Sequence, residues 1–252
     1  MAAHETIRRV SAKSRVAAVT GAARGLGQAI ADRLAGDGYD VVYADVDAKG
    51  AEAAAAATGS LGVELDIRDL DSVEACLATA VDRHGGVDVW VNNAALTIAR
   101  SFFEIEQSEW DAVIETNLRG TYFGCRVAGL HMRQRSGGRI VNLASIAGQR
   151  GASVNGVHYA ASKAGIVAIT RFAASELASS GVTVNAIAPA AIEGPSVAAV
   201  PAETVEAMVR TIPVGRLGRP QEVAALVAYL ASDAAGFVTG ATYDINGGML
   251  MR

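Results

Sequence analysis

Cysteine is nearly absent from this 252-residue chain: Cys76 and Cys125 are its only two. They stand far apart, each in a helix-like stretch, so there is neither a C-x-x-C metal spacing nor a disulfide framework. Buried or idle thiols in a reducing compartment are the expectation. Charge is also scarce, at 19% of residues, with 22 Lys plus Arg against 26 Asp plus Glu and a formal net charge of -4. The densest basic stretch is RQRSGGR (Arg133–Arg139), which reads as a solvated helix end and loop and leaves nucleic-acid binding a remote alternative. No apolar run is long enough to cross a membrane, and the polar start MAAHETIRRVSAKSR lacks the apolar stretch of a signal peptide. A soluble cytoplasmic protein with no membrane or nucleic-acid partner is therefore expected. No linker, low-complexity tract or break in composition divides the chain. It reads as one domain over 1–252, with a short polar extension over 1–14.

What the chain does have is apolar sequence, at 51% of residues, enough for a sizeable core. Short β-branched runs alternate with longer helical stretches. The runs predict strands over Arg15–Thr20, Asp40–Asp45, Leu61–Asp66, Val87–Asn92, Gly138–Ser145, Val182–Pro189 and Ala241–Asn246. Several are apolar at nearly every position, as in a parallel sheet covered on both faces. Strand–helix–strand repetition predicts an α/β fold, a doubly wound parallel sheet of about seven strands with right-handed crossovers. AEAAAAA (Ala51–Ala57) reads simply as a good helix.

After the first strand comes TGAARGLGQAIADRLA, in which Gly21, Gly25 and Gly27 punctuate a turn into a helix. Glycine lets the backbone bend sharply and approach a phosphate closely, and the helix N-terminus beyond offers free N–H groups to a pyrophosphate. A glycine pattern alone is weak evidence; its place between a strand and a helix is the context that supports it. The second strand ends at Asp45, about 20 residues past the glycines. A carboxylate there can accept both ribose hydroxyls of an adenosine and would repel a 2′-phosphate, which favours NAD over NADP. Arg24 inside the turn is the counter-signal, because an arginine there could hold that phosphate. Asp66 is placed for an adenine edge or, alternatively, as a helix cap, a task Asp69 could take instead.

The stretch HYAASKAG (His158–Gly165) sets Tyr159 four residues before Lys163, on one face of a helix. The plain reading is a surface pair. The sharper one is acid/base chemistry, since a free phenol has a pKa of about 10 and a nearby cation favours the phenolate. His158 is tempting as a base, but as the neighbour of Tyr159 it should point off that face.

TGAARGLG, Asp66–Ile67, NNAA (Asn92–Ala95), Asn117, NLASIAG with Ser145, YAASK, NAIAP and the closing GRLGRPQEVA to INGG occur in one order along the chain. In this the chain resembles the short-chain dehydrogenase/reductase family over almost its whole length, most closely its 3-oxoacyl-ACP reductase-like and secondary-alcohol dehydrogenase members. The resemblance implies a Rossmann-type fold, a homotetramer or homodimer, and hydride exchange between a nicotinamide and an alcohol or ketone. It implies Tyr159 as general acid/base and Ser145 as donor to the substrate oxygen. Lys163, with the positive nicotinamide ring, would lower the tyrosine pKa and also hold the nicotinamide ribose, and Asn117 would hold a water in a proton relay running through Lys163. It places Leu26, Val46, Ile67, Asn93, Ala94, Pro189 and Ile192 around the cofactor, with Gly21, Arg24, Gly25, Gly27, Asp45 and Asp66. Ala95, Ala190 and Gly194 depart from the family pattern; the two added methyl groups could narrow the nicotinamide space, and Gly194 removes a threonine contact. The loop Ala147–Val157 is expected to shape an unusual pocket wall, and Pro195–Pro213 reads as a mobile helical lid. An NADP-dependent 3-oxoacyl reductase is the second reading, and a non-catalytic nucleotide-binding sensor a third.

Overall fold

A computed structural model describes residues 14–150, 155–198 and 201–252; the polar extension lies almost wholly outside them. The seven expected strands form one parallel sheet in the order β3-β2-β1-β4-β5-β6-β7. They are β1 (Val16–Thr20), β2 (Asp40–Asp45), β3 (Leu61–Glu64), β4 (Val89–Asn92), β5 (Gly138–Leu143), β6 (Val182–Pro189) and β7 (Thr242–Ile245). The helices are α1 (Gly25–Gly36), α2 (Ala48–Ala56), α3 (Leu70–His84), α4 (Gln107–Val113), α5 (Gly120–Gln134), α6 (Ala147–Arg150), α7 (Gly156–Leu177), α8 (Pro195–Ala198), α9 (Ala202–Arg210) and α10 (Pro220–Ala231). A π-helical turn, Ile114–Arg119, joins α4 to α5.

The strands are apolar throughout because both faces are covered. In β1, Ala17 and Val19 point into a core with Ile30 and Leu34 of α1 and Val223, Val227 and Leu230 of α10. Val16 and Ala18 point into the opposite core, with Val73 and Cys76 of α3, Ala128 and Met132 of α5 and Leu177 of α7. Burying a side chain of this size contributes about 1.5–3 kcal/mol, so a strand buried on two sides tolerates few polar positions.

Five of the expected strands extend one or two residues beyond the regular ladder. Hydrogen bonds continue there: Leu65 N donates to Asp45 O at 2.8 Å, Asp88 N to Val16 O at 2.8 Å and Ala144 N to Ile187 O at 2.8 Å. The extra residues are chain that continues some of these bonds without a regular ladder; Asp88 also accepts from Arg139 N at 2.9 Å on its other side. The stretch AEAAAAA lies largely in α2, which is capped by Asp47 through Gly50 N. Asp69 caps α3 through Asp71 N, the role the sequence left open between it and Asp66. Both cysteines are buried, and burial pushes each thiol up to about 12. No helix among the described residues is long and apolar enough to cross a membrane.

The sheet order turns at β1 and β4. Crossovers leave these neighbouring strands in opposite directions, and a crevice opens at their C-terminal ends.

Candidate active site

The crevice begins at the glycine turn. Gly21 and Gly25 have φ of +67° and +61°, the left-handed region that glycine enters without strain. Gly27 is needed for a different reason: a Cβ there would overlap the Gly21 carbonyl and strike Asn93 Nδ2. Helix α1 starts at Arg24 without a side-chain cap or an acidic first-turn residue, so its first N–H groups have no partner in the helix. This donor set suits an anion and fits the pyrophosphate of a dinucleotide.

Asp45 ends β2 beside that turn. One carboxylate oxygen accepts from Ala23 N and the other from Asp47 N, both at 3.0 Å. Those bonds orient the carboxylate and leave lone pairs for a ribose. Val46 beside it is exposed. Arg24 is exposed too, and no ion pair engages it among the described residues. The carboxylate of Asp66 is clasped by Arg68, Nη2 to Oδ2 at 2.6 Å and Nε to Oδ1 at 2.9 Å, which holds it below the usual carboxylate range. Ile67 is buried in the core against Gly120, and Leu26 packs against the core beneath α1.

Thr20 is a residue the sequence reading passed over. Its Oγ1 accepts from Asn93 N and Ala94 N, both at 3.0 Å, while Asn93 Nδ2 donates to Thr20 O at 2.9 Å. The ends of β1 and β4 are thereby stitched into one floor. Its only sequence signal was its place as the first letter of the glycine motif. A buried set lies beneath that floor: Asn92 accepts from Trp90 Nε1 at 2.8 Å and donates to Asn142 Oδ1 at 2.8 Å, and Asn142 donates to Thr170 Oγ1 at 2.9 Å.

Tyr159, Lys163, Ser145 and Asn117 converge at the ends of β4 and β5. The Lys163 ammonium is buried, donates to Leu143 O at 2.7 Å and lies 5.6 Å from the centre of the Tyr159 ring. Burial pulls its pKa down to about 8. Burial also pushes the Tyr159 phenol up, with the Ser145 hydroxyl opposing it. In the protein alone, removing a phenolate from water outweighs an ammonium that is turned to the Leu143 carbonyl; the expected lowering is tied to the positive nicotinamide ring as well as to Lys163. Ser145 Oγ accepts from Ala147 N at 3.1 Å.

Asn117 sits in the π-helical turn, a feature with no sequence signal. Its Oδ1 accepts from Leu96 N at 2.7 Å, and its Nδ2 donates to Leu96 O at 2.9 Å and Ser162 Oγ at 3.2 Å. The side chain thus clamps the chain leaving β4. His158 points away from Tyr159 as expected. It is fully buried against Trp110, rings 6.5 Å apart, and neither of its nitrogens has a hydrogen-bond partner among the described residues.

On the far side, Ile146 N donates to Pro189 O at 3.0 Å. Ile192 forms a parallel bridge with Gly218 made by Ala191 O and Glu193 N, so the backbone groups of Ile192 itself face the other way. Pro195, at the start of α8, lies over Gly25: a Cβ there would be 3.4 Å from its Cδ. The expected lid thus contains α8 and α9, while residues 199–200 and the wall residues 151–154 lie outside the described ones. Gly194 has φ of +156° with open space where a Cβ would stand, Ala95 is exposed and Ala190 half-buried. A cavity of about 190 Å³ lies under Ala190, Ile192 and Ile212. A larger one, about 730 Å³, is at the opposite end of the sheet among Arg15, Asp88, Arg135, Arg139 and Asp233. Its arginines are engaged in ion pairs and it lies away from the converging polar groups. No cluster of His, Cys, Asp and Glu among the described residues could hold a metal ion.

Comparison with known proteins adds to this geometry. A family profile described as enoyl-(acyl carrier protein) reductase matches residues 21–250. The chain is 43% identical over 241 residues to an acetoacetyl-CoA reductase of Shinella zoogloeoides, covering 93% of this chain and 98% of that one. It is 39% identical over 241 residues to a 3-oxoacyl-[acyl-carrier-protein] reductase of Vibrio cholerae, covering 95% and 98%. It is 41% identical over 239 residues to an uncharacterized oxidoreductase of Mycobacterium bovis, covering 93% and 96%.

Proposed function

The chain belongs to the short-chain dehydrogenase/reductase family, and we propose on that premise that it is an NAD-dependent oxidoreductase interconverting a secondary alcohol and its ketone. The observation that carries this reading is the convergence of Tyr159, Lys163 and Ser145 beside the glycine turn. A nicotinamide, when bound, supplies the hydride chemistry; the protein supplies placement and proton transfer. In ketone reduction Tyr159 Oη gives its proton to the substrate oxygen, and in alcohol oxidation it takes that proton back. Ser145 Oγ donates a hydrogen bond to the same oxygen and orients it. Lys163 holds the nicotinamide ribose and, with the positive charge of an oxidised cofactor, favours the phenolate. Asn117 positions the chain after β4; its side-chain amide is bonded to Leu96 and Ser162 and its backbone carbonyl accepts from Thr121 Oγ1 at 2.7 Å, so the relay water implied for it would share one of these groups.

3-Oxoacyl thioesters are the first substrate class to try, because two of the relatives are named for them. Asp45 supports NAD: its carboxylate is fixed by two backbone N–H groups and would stand against a 2′-phosphate. An NADP-dependent 3-oxoacyl reductase is the second reading, favoured by the unengaged Arg24. Self-association accompanies the proposal. Tyr122, Arg126 and Leu130 form an exposed i, i+4, i+8 stripe on α5, beside α7 with its exposed Phe172, and a second copy of the chain is the occupant proposed for it.

The test is kcat/KM with NADH and NADPH against a panel of 3-oxoacyl thioesters, aryl ketones and polyol-derived ketones. NADH is expected to be preferred, and Asp45→Ser to reduce that preference. If the natural protein uses NADPH at least as well, Arg24 dominates and the second reading stands.

A further inference from the structure

Gln149 of α6 and Asp244 of β7 have no part in this scheme, yet they are firmly joined. Gln149 Nε2 donates to Asp244 Oδ1 at 2.8 Å. Arg252 clasps the same carboxylate, Nε to Oδ2 at 2.9 Å and Nη2 to Oδ1 at 3.2 Å. The partner carboxylate fixes which end of the Gln149 amide is nitrogen. Its Oε1 is buried and has no hydrogen-bond partner among the described residues. A buried acceptor without a partner is unfavourable, so the amide is held from its nitrogen end, by Asp244.

The place of α6 matters to the site in two ways. Its Ala147 N–H donates to Ser145 Oγ at 3.1 Å. Its Gly148 is pressed so closely on α7 that a Cβ would lie 2.5 Å from Ala164 N and 2.6 Å from the Lys163 carbonyl carbon. One four-residue helix therefore touches both Ser145 and the backbone of Lys163. A single turn has no stability of its own; tertiary ties must place it, and the Gln149–Asp244–Arg252 chain anchors its far end to the edge strand.

We propose that Asp244, steadied by Arg252, is a positioning residue: it holds α6 through Gln149 and so sets the Ser145 hydroxyl. The proposal rests on the reading of Ser145 as donor to the substrate oxygen, and it gives the wall after Ser145 a defined anchor.

Two measurements on the full chain separate this from an incidental surface contact. The first is hydrogen exchange of the amides over 147–150, which needs no activity. It should quicken by roughly tenfold in Asp244→Ala, the factor expected for losing one charge-assisted bond, and less in Asp244→Asn, which keeps an acceptor for Gln149. The second is reduction of acetoacetyl-CoA with NADH. Asp244→Ala should lower kcat/KM by roughly tenfold and leave NADH affinity unchanged. In a Ser145→Ala background it should cause no further loss, because it acts through that hydroxyl. Unchanged exchange in Asp244→Ala, or losses that multiply in the double variant, would overturn the proposal. A wild-type protein that reduces no ketone with either cofactor would instead count against the proposed function, and the exchange result alone would then decide the anchor.

Discussion

Removing one oxygen tests the proton-transfer role of Tyr159. Tyr159→Phe keeps the ring against Lys163 and leaves the glycine turn untouched. Turnover should fall about 10²-fold or more, while NADH titration by fluorescence should give an affinity close to that of the natural protein. Near-normal turnover would remove the tyrosine from the chemistry. Lys163 supports a different prediction, about stability. Its ammonium is buried and its pKa is drawn down to about 8, against 10.5 for a free lysine. Below pH 8 both folded and unfolded chains carry the charge, and folding bears the whole cost of burying it, about 3 kcal/mol. As pH rises from 8 to 10.5 the folded protein releases the proton first and the cost fades. Lys163→Met has no such term. Its stability relative to the natural protein should therefore decline by about that amount between pH 7 and 10.5, whatever the constant offset from losing the bond to Leu143. Urea titrations across that range check it, and a pH-independent difference would mean that the ammonium is solvated. At this scale the sequence showed Tyr159 and Lys163 through their spacing, because helical periodicity is local. It could not show that the lysine faces the Leu143 carbonyl or that the phenol is pushed up, since both depend on β5, which is distant in sequence. Thr20 and the clamp of Asn117 on Leu96 were hidden for the same reason.

Among the elements, the glycine turn makes the sharpest demand on sequence. Gly27→Ala adds one methyl where the Gly21 carbonyl and Asn93 already stand. The turn must open, at a cost of roughly 1–3 kcal/mol, and α1 must move with it. A lower urea midpoint together with weakened NADH binding is expected; a variant that binds NADH normally would show that the turn can relax without cost. The strands were legible because burial on both faces removes polar residues from them. Their exact ends were not, because chain that continues a few hydrogen bonds past the ladder has the same composition as the ladder itself. The π-helical turn at Ile114–Arg119 was invisible: its residues have ordinary helical character, and the extra residue is accommodated through contacts of Asn117 with a loop and with α7.

For the molecule as a whole, the proposed self-association rests on the exposed stripe of α5 and on Phe172 of α7. Light scattering should give a dimer or tetramer for the natural protein, and Phe172→Glu should shift it toward smaller species by placing a charge in an apolar contact. A natural protein that scatters as a monomer would end that proposal. The expectation of a single domain came from the absence of any break in composition, whereas the surface proposed for association has no sequence signal, because the exposure of Tyr122, Leu130 and Phe172 depends on how the helices pack. The two cysteines have one more consequence. Cys76 and Cys125 are sealed in the core and held as thiols by their surroundings, so the folded surface described here presents no competing sulfur nucleophile. A cysteine placed on purpose at an exposed position of α6, such as Arg150, would be the single point at which a maleimide dye reacts. The native protein thus comes ready for a one-site optical reporter of its pocket wall, with no background thiols to remove first.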